Sequence, residues 1–176
     1  MGSLQRSVPA FDELRDLCTA AGDQRSLAIA MSGQVMEQFL NGHRHKASQL
    51  ADQQVRLLDS IGDPTLTVAL LSMAFSVKVE TLEVAHVLRL AQRVIDLAGG
   101  DVAKGHLLFP SPLTLAIAMR GLARSFLGIA CWREDMDQAV VMACAGEPVM
   151  RVAMIWYTHI QAIINGVLLP LSLIHI

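Results

Sequence analysis

GDPTLTVALLSMAFSVKV, residues 62–79, is the stretch that decides the fold. Its glycine ends one helix, its aspartate caps the next helix, and its proline occupies the first helical turn. From residue 65 to residue 79 nearly every side chain is apolar. A helix that is apolar all round is buried on more than one side, so this stretch predicts a helix enclosed by neighbours.

The rest of the chain is predicted to form further helices separated by short breaks. In residues 44–61 the apolar positions recur every three or four residues, which indicates one buried stripe on an amphipathic helix. A looser segment precedes Pro112. The approximate predicted helices are 11–20, 24–40, 44–61, 65–79, 82–98, 113–127, 134–145 and 149–165.

Two regularities indicate a repeat. Breaks of similar composition, at 62–64, 99–101 and 146–148, punctuate the chain. A shift of 40 positions also takes Ala47 to Val87 and Leu50-Ala51 to Leu90-Ala91. Repeats of about 34–47 residues built from helix pairs form α-solenoids. We therefore predict an all-α, tetratricopeptide-like α-solenoid of about seven or eight antiparallel helices, truncated at the C-terminus; the alternative is a plain helical bundle.

Composition restricts the function classes. The formal net charge is -2 and the pI is near 6.3, which argues against the broad basic surface of a nucleic-acid-binding protein. The odd number of cysteines matches no disulfide, metal or redox pattern, which favours a cytoplasmic location. Residues 152–170 contain no Asp, Glu, Lys or Arg, which leaves a membrane-embedded helix as an alternative. The polar residues in this stretch favour a helix buried between neighbours and no contact with a membrane.

The chain end carries an unusual signature. LSLIHI, residues 171–176, resembles the translation of a transposon-end adapter used in shotgun sequencing. We expect these six residues to be foreign to the natural protein and the natural chain to continue past Pro170. The expected division is therefore 1–22 as an N-terminal segment or the end of a preceding helix, 23–170 as a helical-repeat fragment, and 171–176 as the adapter.

Several short motifs resemble those of a known family. Residues 42–47 with Ala51 and the break at 62–64 are similar to a loose tetratricopeptide repeat. RVIDLAGGD at 93–101, SPL at 111–113, WRED at 132–135 and NGVL at 165–168 extend the likeness. Together they resemble the C-terminal helical-repeat region of actinobacterial signalling proteins. Those proteins join an adenylate/guanylate cyclase domain, or a LuxR-type DNA-binding domain, to an ATPase module.

This resemblance implies a non-catalytic regulatory region that contacts other domains of its parent chain, or a protein or small-ligand effector. The residues themselves predict no catalysis and no cofactor. Gly99-Gly100 is the nearest approach to a phosphate-binding loop, but no Lys-Ser/Thr pair follows it. The alternative is a fragment of an enzyme whose active site lies in missing sequence.

Two local features invite a chemical interpretation. His43 and His45 are two positions apart and point to different sides of a helix, which predicts a solvated helix start rather than a metal site. Cys131 follows an apolar helix and is predicted to be a small core residue rather than a nucleophile.

The candidate partner-binding surface consists of Arg120, Arg124, His159 and Gln161. The two arginines lie four positions apart, so both guanidinium groups lie on one helix face. The favoured interpretation pairs them with acids of a neighbouring helix, among Glu134, Asp135 and Asp137. The functional interpretation is a ridge on the concave surface that His159 and Gln161 join; the simpler one for His159 is a buried, hydrogen-bonded histidine.

Overall fold

The computed structural model describes residues 8–160, and their side chains from 11 to 157. The helices are α1 Val8–Ala21, α2 Gln24–Leu40, α3 Arg44–Ile61, α4 Pro64–Glu80, α5 Val84–Ala98, α6 Pro112–Phe126, α7 Trp132–Ala145 and α8 Pro148–Met154. A π-helical segment, Ile155–Ile160, continues α8. Residues 8–160 contain no strand, which confirms the all-α prediction.

The predicted helix bounds agree closely with the structure. Those of α2 and α3 are the same, and the other starts differ by at most three residues. Helix α5 begins two residues later than predicted because Leu82 has a left-handed backbone conformation, with φ 59°. The eighth helix was predicted to be a continuous α-helix, but its hydrogen bonding changes at Ile155; residues 161–165 lie outside the described part.

The membrane alternative concerns this same end of the chain. Among the described helices, none is long and apolar enough to cross a membrane. Residues 161–170, the second half of the uncharged stretch, lie outside the described residues.

Helix α4 lies at the centre of the structure. All ten residues from Leu66 to Phe75 are buried, and the helix contacts α2, α3, α5 and α6. This confirms that the apolar stretch is enclosed on several sides. Its carboxylate cap is also present, since Asp63 accepts hydrogen bonds from the backbone N–H groups of Thr65 and Leu66.

The helices stack in the order of the chain. Each helix packs on the next, and two- or three-residue turns join most pairs, so neighbours run antiparallel. In addition, α2 contacts α4, α4 contacts α6, and α6 contacts α8. Contacts therefore advance along the chain, with the even-numbered helices forming a continuous layer, as in an α-solenoid.

The repeat is visible in the buried stripes of the odd-numbered helices. The stripe of α3 is Ala47, Ala51, Gln54 and Leu58; that of α5 is Val87, Ala91, Val94 and Ala98; that of α7 is Trp132, Met136, Ala139 and Ala143. All are buried except Trp132, which is partly buried. The first two stripes are 40 positions apart, as the sequence predicts. The next shift is 45 positions, because the longer α5–α6 connection is partly offset by helices α5 and α6, which are shorter than α3 and α4.

The last described helix leaves apolar side chains uncovered. Val152 is 69% exposed and Ile155 is 54% exposed. Counted from the proline that opens each helix, these positions match residues of α4 and α6 that are fully buried: Val68, Leu71, Ala116 and Met119. Neighbouring helices cover these positions in α4 and α6, so the face formed by Val152 of α8 and Ile155 of its π-helical continuation is an open repeat surface.

We expect this open surface to make the protein self-associate as its concentration rises, because contiguous exposed apolar area drives association. Val152→Glu should shift the population towards monomer in sedimentation velocity. Val141→Glu is the matched control, since Val141 is 70% exposed but lies on α7. This expectation would be contradicted if the unmutated chain stayed monomeric at high concentration, or if the two substitutions had equal effects.

Candidate functional site

Arg120 and Arg124 of α6 share one carboxylate. The Arg120 guanidinium donates from Nη2 to Asp135 Oδ1 at 2.7 Å and from Nε to Oδ2 at 3.0 Å. Arg124 donates from Nη1 to Asp135 Oδ2 at 2.8 Å. The Asp135 side chain is only 6% exposed. Two-point pairing of this kind is strong and directional, so α6 and α7 are tied at this point.

The local sequence explains this geometry. A four-residue spacing puts both arginines on one face of α6, and Gly121 lies between them in the sequence. A Cβ at Gly121 would lie 3.0 Å from the Asp135 Cβ and 3.0 Å from the Trp132 carbonyl oxygen. The absence of a side chain there lets α7 approach closely. Asp135 lies in the first turn of α7, where the helix dipole favours a negative charge.

The network continues onto α5. Arg120 Nη1 donates to Gln92 Oε1 at 3.1 Å, and Gln92 Nε2 donates to Asp96 Oδ1 at 2.8 Å. Side chains of α5, α6 and α7 are therefore connected through one arginine.

The favoured sequence interpretation, pairing with an acid in 134–137, is confirmed for Asp135. The partner-binding role of Arg120 and Arg124 stays a prediction. The side chain of His159 and the whole of Gln161 lie outside the described residues, so their predicted place beside the two arginines stays a prediction.

A groove lies beside the arginine pair, between α5 and the turn that joins α6 to α7. Its volume is about 610 Å³. Apolar side chains contribute to its lining: Leu88, Leu97 and Ile129. Around them lie three arginines, Arg89, Arg93 and Arg124. The only acidic residue in the described lining is Asp96. We call this the arginine groove.

The arginines of this groove retain free donors. Arg93 pairs through Nη2 with Asp59 at 2.6 Å, and Arg124 pairs through Nη1 with Asp135. Each guanidinium has five N–H donors, so both can bind a second carboxylate. Arg89 is exposed and has no hydrogen bond or ion pair within the described part of the chain. The groove therefore combines unsatisfied guanidinium donors with an apolar surface.

A second polar cluster, which the sequence analysis missed, surrounds Lys78 of α4. The Lys78 side chain is fully buried. Its ammonium group donates to Ser48 Oγ at 2.9 Å and to Glu83 Oε2 at 2.8 Å, and it forms an ion pair with Asp52 Oδ1 at 2.9 Å. Two hydrogen bonds and two nearby carboxylates offset the cost of burying the charge. The sequence signal was a single charge in the otherwise uncharged stretch 65–79.

Glu83 is the most perturbed acid of this cluster. Burial raises its pKa, but hydrogen bonds from Lys78, Ser48 and Thr81 outweigh that effect and hold the pKa at about 2. His86 Nδ1 lies 3.8 Å from both Asp52 Oδ1 and Glu83 Oε2. Burial and the nearby Lys78 charge lower the pKa of His86, so the neutral ring is favoured. The cluster links α3, α4 and α5, and its two carboxylates more than balance the Lys78 charge, which is typical of a structural joint.

The two features with a possible chemical role have separate outcomes. His43 and His45 are exposed, and His43 precedes the first turn of α3, as predicted for a solvated helix start.

The prediction for Cys131 was wrong, because its thiol is exposed and its φ is 65°. Helix α6 ends at Phe126, so the turn that follows carries Cys131 out of the core. A hydrogen bond with Glu134 raises the pKa of Cys131, which disfavours the reactive thiolate.

Comparison of the chain with protein-family models, with curated proteins and with solved structures found no match. Within the described residues, no three histidine, cysteine, aspartate or glutamate side chains are grouped so that they could hold a metal ion. The arginine groove is the candidate site because it combines unsatisfied guanidinium donors with an apolar surface.

Replacing Asp135 with asparagine should lower the free energy of unfolding by about 1.5–3 kcal/mol, the range for hydrogen bonds to charged groups. The amide keeps the shape of the side chain but leaves two partly buried guanidinium groups without their counterion. Asp137→Asn is the control, because Asp137 is exposed on the same helix. Urea unfolding measures both, and equal stabilities of the two variants would show that the pairing contributes nothing.

The acid stability of the protein should depend on Glu83. Its pKa is about 2 in the folded chain against an ordinary value of 4.5, so its stabilising contribution is complete above pH 4.5 and disappears as the pH falls towards 2. In Glu83→Gln, urea unfolding at a series of pH values should show a shallower loss of stability across this window. Exposed Glu13→Gln should keep the slope of the unmutated protein; an unchanged slope in Glu83→Gln would refute the assignment.

Proposed function

We propose that this chain is a non-catalytic, regulatory helical-repeat region that binds a protein segment in the arginine groove. The observation that carries the proposal is the position of Arg89, Arg93 and Arg124 around an apolar surface. Guanidinium groups pair in a two-point geometry with carboxylates, and the apolar residues supply contact area. The complementary partner is an acidic segment that also carries apolar side chains.

The stacked architecture supports this role. Helical repeats present long surfaces that are assembled from successive helix pairs, and most such surfaces act in recognition rather than in catalysis. The arginine groove has this character, since residues of α5 and α6 and of the following turn line it. In keeping with the motif resemblance, we place the chain in a cytoplasmic cyclase–ATPase or LuxR-type signalling protein, where other domains of the parent are candidate partners.

The arginine pair suggests how binding could be transmitted. Arg124 lines the groove and also pairs with buried Asp135. A bound carboxylate shares the Arg124 guanidinium with Asp135, which weakens the Arg124–Asp135 pair while the Arg120–Asp135 pair is kept. Binding then changes the contact between α6 and α7, and the partner shifts the population towards the arrangement that binds it better.

Reversing one groove charge should weaken the binding of an acidic peptide. The probe is a fluorescein-labelled peptide of glutamate, leucine and alanine, and fluorescence anisotropy measures its affinity at low and at physiological salt. We expect Arg89→Glu to reduce the affinity by about tenfold or more, which corresponds to about 1.4 kcal/mol. Higher salt should weaken binding to the unmutated chain as well.

The matched control is Arg56→Glu, because Arg56 is an exposed arginine of α3 that does not line the groove. A peptide with lysine in place of glutamate should bind more weakly than the acidic probe. Equal affinities of the two variants for the acidic probe would contradict the proposed site. Turnover of ATP, or formation of cyclic nucleotide, above the level of a mock purification would contradict the non-catalytic assignment.

A further inference from the structure

The connection between α5 and α6 departs from the repeat. The connections that precede α2, α4 and α8 are two residues long, 22–23, 62–63 and 146–147, whereas residues 99–111 separate α5 from α6. Insertions in helical repeats lie on one face of the stack, often the binding face. Loops of this length in compact domains also tend to have a function of their own.

This inserted loop is held firmly against the helices. Gly105 is buried with φ +73°, and a Cβ at that position would lie 2.7 Å from the backbone nitrogen of Ala69. Only glycine allows the loop backbone to approach α4 so closely in this conformation. Lys104 Nζ donates to the Leu97 carbonyl oxygen at 2.6 Å, and the Asp101 carboxylate accepts from the Ala103 N–H at 2.9 Å. The loop thus forms a fixed wall.

A cavity of about 320 Å³ lies between this wall and the end of α7 with the start of α8. Apolar side chains dominate its lining, among them Val102, Pro110, Met142 and Met150. Polar groups are few, and the Ser111 and Thr114 hydroxyls already bond to each other at 2.8 Å. His106 and Glu147 are exposed lining residues, so they supply the remaining polar groups at its mouth.

We propose that this cavity binds a small, largely apolar molecule about the size of two fused rings, with one hydrogen-bonding group at the mouth. Cavities of about 150 Å³ hold benzene, so twice that volume suits a bicyclic molecule. Methionine sulfur makes favourable contacts with aromatic rings, and two methionines line the cavity. A mostly apolar lining with a few polar groups is the usual character of small-molecule sites.

The cavity and the arginine groove have no lining residue in common. A small-molecule site here would therefore give the chain a second input that does not depend on the proposed peptide site. Because the α5–α6 loop and both α7 and α8 line the cavity, its occupant would stabilise the contact between the inserted loop and these two helices.

Indole is the probe for this site, since it has two fused rings and one N–H donor. The protein is labelled with ¹³C in the methionine methyl groups and titrated with indole in two-dimensional NMR. We expect saturable shifts of the Met142 and Met150 signals and none of Met31, which lies on α2 and does not line the cavity. Methionine-to-leucine variants assign the signals.

Two variants fill the cavity from opposite walls. Ala103→Phe and Ala145→Phe replace exposed lining residues, and each should weaken indole binding at least tenfold. Ala85→Phe, at an exposed position of α5 away from the cavity, should bind indole like the unmutated chain. An unchanged Met31 signal verifies folding in each variant. Shifts that do not saturate, that spread equally over all methionines, or that persist in both cavity variants would overturn the proposal.

Discussion

The enclosure of α4 is the constraint on which the rest of the structure depends. A helix that is apolar on every side is stable in water only if other helices cover it completely. Here α2, α3, α5 and α6 provide that cover, and their packing fixes the order of the stack. The same enclosure accounts for the Lys78 cluster. An ammonium group buried in this environment needs counterions, which Asp52 and Glu83 provide, and Ser48 accepts a further hydrogen bond from it.

The third helix pair, α6 and α7, breaks the pattern of the two earlier pairs, α2 with α3 and α4 with α5. Counted from the opening prolines, Arg120 occupies the position of buried Ser72 in α4, and the 45-position shift places Asp135 at the position of buried Leu90 in α5. The ion pair of Arg120 and Asp135 therefore stands where the preceding repeat has the uncharged residues Ser72 and Leu90. A partly buried ion pair is rarely a gain in stability over well-packed apolar residues. Departures from local pattern are expected where function has constrained the sequence, which agrees with the arginine groove beside this pair.

The inserted loop is the second departure, and it lies in the same region of the stack. It precedes α6, and the cavity that it forms reaches α7 and α8. The structure thus concentrates its irregular features around the third pair, while the α2–α5 region is held by buried stripes and by the Lys78 cluster. This division suggests a rigid part that maintains the stack and a part whose contacts a partner or a small molecule can change. The proposed regulatory role requires both parts, because an effector acts only through contacts that differ between two arrangements.

The sequence by itself determined the features that depend on local spacing. Apolar periodicity and the Gly-Asp-Pro break defined the helices to within a few residues, and the 40-position shift predicted the matching stripes of α3 and α5. The four-residue spacing of Arg120 and Arg124 and the acidic cluster at 134–137 predicted their pairing.

Only the tertiary structure decided which side chains meet across helices that are far apart in sequence. The partners of Lys78, the exposure of Cys131, the arginine groove and the cavity all depend on how helices and turns are oriented against one another. That orientation results from the packing of many side chains at once, so no local pattern encodes it.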